Sequence, residues 1–135
     1  MVRTSPFRRQ HTAEVRYVAE LVAPLDRAIR TTRVLIRRIT VGARLDETMP
    51  PDYLALLDDL AVATRAIATE LRDNQMADAV QPELIAIGER SSTASEPLTL
   101  SAAVVLGQIR SLVVDLLGVS GMAYDAAVAV VPERG

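Results

Sequence analysis

The stretch that decides the fold is TAEVRYVAELVAPLDRAIRTTRVLIRRITVGA, residues 12–43. Its apolar positions recur in steps of three and four, which indicates one seam of an α-helix sustained over four heptads. The seam consists of Val15, Val18, Val22, Leu25, Ile29, Thr32, Ile36, Ile39 and Ala43. Pro24 interrupts this helix, because it removes one backbone donor and crowds the carbonyl of Glu20. We therefore expect a kink at Pro24, or two collinear helices.

Further helical patterns follow. A helix is predicted over about 51–72, with proline in its first turn, and it carries two parallel apolar stripes. The stripes are Leu54, Leu57, Ala61, Thr64, Ala68 and Leu71, and Tyr53, Leu56, Leu60, Ala63 and Ile67. Helices are also predicted over 82–91 and 98–119, and 123–131 is read as a short helix or an apolar tail.

No alternation of period two competes with these helices. The connections are short to moderate, which favours antiparallel neighbours. The sequence therefore predicts an all-α fold, an antiparallel four-helix bundle with a long first helix. The bundle is expected to occupy 11–131, between a basic flank at 1–10 and a frayed tail at 132–135.

Composition excludes several kinds of chemistry. Among the 135 residues there is no cysteine, only one histidine, and no lysine, since all 15 basic residues are arginine. Disulfides, thiolate ligands, cysteine nucleophiles and lysine Schiff bases are therefore absent. Aromatic residues make up only 3% of the chain, which argues against base-stacking surfaces for nucleic acid. We predict no enzyme activity, no cofactor, no metal site and no nucleic-acid partner.

Charge is divided unevenly along the chain, although the net charge is only −2. Residues 1–44 hold ten arginines against three acids, whereas 45–135 hold five arginines against fourteen acids. Arg30 and Arg33 belong to an arginine stripe of the first helix that is suited to phosphates, anionic lipids or an acidic partner. The alternative is a solvated helix face, in which Arg30 pairs with Asp26 four residues earlier.

The helix predicted over 98–119 contains a charged residue in an apolar row. Arg110 follows Leu106 and precedes Val113, so it needs a carboxylate or carbonyl partner from another helix, or an anion. Asp115 lies on a different face, within a narrow polar stripe, and is a second candidate polar contact. Val104 and Val114 remain as apolar surface after the main seam is filled, which suggests self-association or contact with another domain.

Several segments resemble one known family when they are taken together and in order. They are Tyr17–Arg38, Pro6–Arg9, the leucine series Leu54, Leu57 and Leu60 after Pro51, and Leu98–Leu117. This combination resembles the actinobacterial branch of the fusaric acid resistance-like (FUSC) membrane proteins, also called aromatic acid exporter-like. Pro24 departs from the pattern of that family, in which a helix-forming residue is usual.

The resemblance implies that the chain is the C-terminal cytosolic domain of a membrane transporter, lying at the cytoplasmic face of the cell membrane. Its partners would then be its own membrane domain, the membrane surface and further copies of itself. Arg3, Arg8 and Arg9 fit a flank just cytosolic of a membrane helix, where basic residues are enriched. Two alternatives stay open: a regulatory bundle that binds anions or aromatic acids through Arg30, Arg33 and Arg110, and a free-standing adaptor that binds a protein through the 98–119 helix.

Overall fold

The computed structural model describes residues 6–132, and of residues 6–11, 13 and 14 it describes the backbone alone. Five α-helices follow one another: α1 (Pro6–Arg44), α2 (Pro51–Arg72), α3 (Gln81–Ser92), α4 (Leu100–Val119) and α5 (Tyr124–Val130). A short 3-10 helix, Ala77–Val80, leads into α3. Across 6–132 there is no strand, so the all-α prediction is confirmed, and the helices pack as a bundle.

The first helix is longer and less interrupted than its sequence suggests. It begins at Pro6, six residues before the predicted start, and continues through Pro24 to Arg44. The expectation of two collinear helices is therefore wrong. Pro24 is buried, and packing of its ring against α4 offsets the one hydrogen bond that proline forfeits. Arg3 and the side chains of Arg8 and Arg9 lie outside the described residues.

The centre of the bundle is α4, which packs against each of the other four α-helices. Its large fully buried side chains are Val105, Ile109, Val113 and Leu117. By contrast, α1 packs extensively on α4 and makes no comparable contact with another helix of residues 6–132. Val104 and Val114, the surplus apolar residues expected on α4, are both half-buried, and Val114 packs against the core.

Small residues let α1 and α4 approach closely at two points. A Cβ added at Gly118 would lie 2.9 Å from the Cβ of Pro24, and one added at Gly42 would lie 3.2 Å from the Cβ of Ser101. Because Pro24 meets the end of α4 and Gly42 meets its start, the two helices run antiparallel. The part of α1 before Pro24 consequently extends past the end of α4.

The face of α1 that packs on α4 is not the predicted seam. The buried positions are Pro24, Ala28, Leu35 and Gly42, which also recur at helical spacing. Most of the predicted seam is exposed, with Val22 and Ile36 each at 59%. Small residues were needed for close approach to α4, so the larger β-branched side chains remain on a neighbouring face.

The two stripes of α2 behave differently from each other. All five members of the Tyr53 stripe are buried against α3 and α4. In the stripe that begins at Leu54, every residue is exposed or half-buried, and Leu54 itself is 48% exposed. The bundle therefore covers one stripe of α2 fully and the other only in part, as it does with the seam of α1.

We predict that Gly118→Ala destabilises the fold by about 1–3 kcal/mol, because the new methyl group must displace Pro24. Gly107→Ala, in the same helix, is the matched control. Nothing lies within 4 Å of a Cβ at Gly107, so alanine should stabilise the helix there by about 0.5–1 kcal/mol. Urea unfolding of both variants measures the difference, and an unchanged stability for Gly118→Ala would contradict the close contact.

Candidate functional site

An open pocket lies along α4 between α1 and α5. Its volume is about 440 Å³, which lies within the range of small-molecule sites. Its polar side chains come from three helices, and valines of α4 and α5 complete the wall. The residues that line it are Arg27, Gly107, Arg110, Ser111, Val114, Asp115, Tyr124, Val128 and Val131.

The carboxylate of Asp115 is the most buried charged group at this pocket, with 8% of its side chain exposed. The hydroxyl of Thr31 donates a hydrogen bond of 2.7 Å to its Oδ2, and Nε of Arg27 lies 3.7 Å from its Oδ1. Burial raises the pKa of Asp115 above its ordinary value, whereas the Thr31 hydrogen bond and the Arg27 charge act in the opposite direction. Desolvation is the larger effect.

Arg27 connects three helices at the mouth of the pocket. Besides facing Asp115 of α4, its guanidinium lies 5.8 Å from the ring centroid of Tyr124 at the start of α5. This is within the range of a cation–π contact. Because about half of the Arg27 side chain is exposed, both contacts are reachable by solvent and by a solute.

Arg110 has the carbonyl partner on another helix that its sequence position requires. One of its Nη atoms donates a hydrogen bond of 2.8 Å to the carbonyl oxygen of Ser91, in the last turn of α3. The last carbonyls of a helix have no donor from a following helical turn, and that of Ser91 accepts only a long bond of 3.5 Å from the backbone N–H of Ala94 and a cap bond from Thr93, so Arg110 helps to cap the end of α3. The Nε of Arg110 is buried and has no hydrogen-bond partner in the described part of the chain.

The pocket brings together only some of the candidates from the sequence. Arg110 and Asp115 share it, although they point from different faces of α4. Arg30 is exposed elsewhere and pairs with Asp26 at 3.0 Å, as the spacing of four residues suggests. Arg33 lies at the edge of a separate apolar groove between α1 and α2.

Sequence reasoning missed two residues of the pocket. Arg27 was visible as one of several arginines of α1, but nothing in the sequence distinguishes it from its neighbours. Tyr124 lies 97 positions later. Their contact depends on how α5 folds back beside α4 after Gly121, whose φ of +99° makes the turn. Such tertiary placement leaves no periodic signal.

The described residues show neither a metal-binding cluster nor an exposed membrane-spanning helix. Among the described residues there is no cluster of three or more His, Asp or Glu side chains that could hold a metal ion. One helix, α4, is long and apolar enough to cross a membrane, but 56% of its most apolar 18-residue stretch is buried inside the bundle. That burial is typical of the core helix of a bundle.

Comparison with known proteins gives one informative match. An uncharacterized protein of Corynebacterium glutamicum is 35% identical over an alignment of 133 positions, and the alignment includes 93% of this chain. The chain spans about a third of the length of that relative, 34%. No family model matches the sequence, and no solved structure matches it.

We predict that the buried carboxyl makes the stability fall as the pH rises. Since the folded protein binds a proton at Asp115 more tightly than the unfolded chain, stability is lost from about pH 4 upward through the raised pKa. Asp115→Asn keeps an acceptor for Thr31 and removes this titration. Relative to wild type, the variant should therefore gain stability between pH 4 and pH 7, as measured by urea unfolding. The control, Asp58→Asn, removes one exposed carboxylate of α2.

If the difference between Asp115→Asn and wild type stays constant across that pH range, the burial of an ionisable carboxyl at this position is contradicted.

Proposed function

We propose that the chain is a non-enzymatic domain at the cytoplasmic face of a longer membrane protein of the exporter-like kind that its sequence resembles. There it serves assembly or regulation by helix packing. The observation that carries this proposal is the match of nearly the whole chain to one third of a longer relative. A part of that size fits a separate domain attached to other segments.

Two features of the fold support the proposal. The helix that is apolar enough to span a membrane is in the core of the bundle, so membrane helices would have to come from other segments. The exposed face of α1 and the exposed stripe of α2 offer apolar surface for contacts with further helices. Such surface is expected on a domain that packs against other segments, and it is unusual on a domain that has no partner.

The test is fractionation of cells that produce the protein natively, with an antibody raised against this 14.6 kDa chain. We expect the antigen on a substantially larger polypeptide that stays in the membrane after an alkaline wash. Sequencing the coding region upstream should show in-frame hydrophobic segments. A soluble antigen of 14.6 kDa would overturn the proposal and favour the free-standing adaptor.

The pocket on α4 supports a second candidate function, the binding of a small aromatic acid. Arg27 and Arg110 line it together with the ring of Tyr124, so a carboxylate and an aromatic ring would both find partners.

Calorimetric titration with benzoate tests this second candidate. We expect binding that weakens at least about tenfold in Arg27→Gln, because a charged partner of a carboxylate is lost. Arg33→Gln is the matched control on the same helix, away from the pocket. Absence of heat and of thermal stabilisation in the wild type would exclude the candidate for this ligand class.

A further inference from the structure

The exposed seam of α1 has the pattern of a coiled coil. Six of its members have between 43% and 59% of their surface exposed, and they occupy a and d positions of a heptad, in which the half-buried Thr32 is the one polar interruption. These six are Val15, Val18, Val22, Leu25, Ile29 and Ile36. Apolar residues on a protein surface usually occur singly, so a row of six that spans residues 15–36, about three heptads, indicates a partner helix.

The middle of this seam forms one wall of an apolar groove. The groove has a volume of about 230 Å³, its floor is Leu112 and Leu116 of α4, and its opposite wall includes Thr64 of α2. The threonine hydroxyls that line it already have hydrogen-bond partners. Thr32 and Thr64 donate their hydroxyls to carbonyls one turn earlier in their own helices, at 2.8 and 2.7 Å. The groove is therefore ready for an apolar helix ridge.

We propose that α1 of a second copy of this chain occupies the groove, so that two α1 helices pair in parallel as a two-stranded coiled coil. This pairing rests on the proposed assembly role and specifies the surface through which assembly occurs. It is nevertheless measured separately, since a membrane-attached protein can be monomeric and a soluble one can be dimeric. Each α1 would cover the seam of the other and one uncovered stripe of α2.

The residue types of the seam favour a parallel pair. Every a position from Val15 to Ile36 is β-branched, namely Val15, Val22, Ile29 and Ile36. β-Branched residues at a favour parallel two-stranded coils when leucine occupies d, and of the d positions here Leu25 is the leucine. A two-fold axis along the helices also places α4 of the two copies on opposite sides of the pair. An antiparallel α1 would instead turn its α4-bearing side toward α2 of the first copy.

Charges at the rim of the groove match the same arrangement. α2 runs antiparallel to α1, and Thr64 of α2 lies across the groove from Ile29 and Arg33 of α1. This contact fixes which residues of the two helices lie at the same level along the helix axes. Arg65 is within about one turn of the height of Asp26, and Asp58 is within about one turn of Arg33. In a parallel pair, Asp26 and Arg33 of one copy face Arg65 and Asp58 of the other. An antiparallel pair would oppose like charges.

The absence of cysteine makes a cross-linking test direct. Val22→Cys and Ile36→Cys each place one thiol at an a position, where a parallel pair brings identical residues together. We expect both variants to form disulfide-linked dimers under mild oxidation. Val34→Cys is the matched control, because Val34 is 42% exposed on the far side of α1. If the seam variants cross-link no faster than Val34→Cys, the parallel pairing is wrong.

Sedimentation equilibrium tests whether the seam drives association. We expect a dimer of the wild-type chain, and an association at least about a hundredfold weaker in Val22→Asp/Ile29→Asp, because carboxylates would be buried without partners. Val34→Asp should associate as the wild type does. Circular dichroism checks that the seam variant keeps its helices, since these positions lie outside the core. A wild-type chain that stays monomeric at millimolar concentration overturns the proposal and leaves the groove to a different helix.

Discussion

The close contact between α1 and α4 is the constraint on which the rest of the structure depends. Where Pro24 meets Gly118 there is no room for another carbon atom, and where Gly42 meets Ser101 another carbon atom would fit only tightly. Because close packing at these two points requires small side chains, the face of α1 with Pro24, Ala28, Leu35 and Gly42 lies inside, and most of the face with valine and isoleucine lies outside. The exposed seam, the apolar groove and the position of Arg27 beside Asp115 all follow from that choice of face.

Much of the fold could be predicted from periodicity, and the limits of that prediction have a physical cause. Spacing of three and four identifies a helix and its apolar faces, as it does for α2, but it does not say which of two faces a neighbouring helix will cover. In α2 the covered stripe is the one with Tyr53, whose hydroxyl reaches the backbone carbonyl of Ser95. In α1 the more apolar stripe is the one left open. Hydrophobicity in the sequence shows which side chains gain from burial, but the tertiary structure decides which of them a neighbouring helix covers.

The candidate site was less predictable than the fold. Arg110 could be recognised because a charge in an apolar row needs a partner, and the carbonyl of Ser91 provides it. Asp115 stood in a polar stripe that gave no sign of how deeply α1 would bury it. The link between Arg27 and Tyr124 joins parts of the chain that no local pattern relates. Sequence patterns therefore identified Arg110, a charged residue that requires a polar partner. They missed residues whose role depends on a neighbour distant in sequence.

The dependence of α1 on a single neighbour also shapes how the protein opens. Its packing partner among residues 6–132 is α4, whereas α2, α3, α4 and α5 are connected to one another by several contacts. Detaching α1 therefore breaks its interface with α4 and the contact of Arg27 with Tyr124 of α5, while the contacts among the other helices can persist. We expect the amide hydrogens of α1 to exchange with solvent through this partial opening, at a lower free energy than those of α4. On this expectation, α1 opens as a unit of its own, and the remaining helices form a second unit.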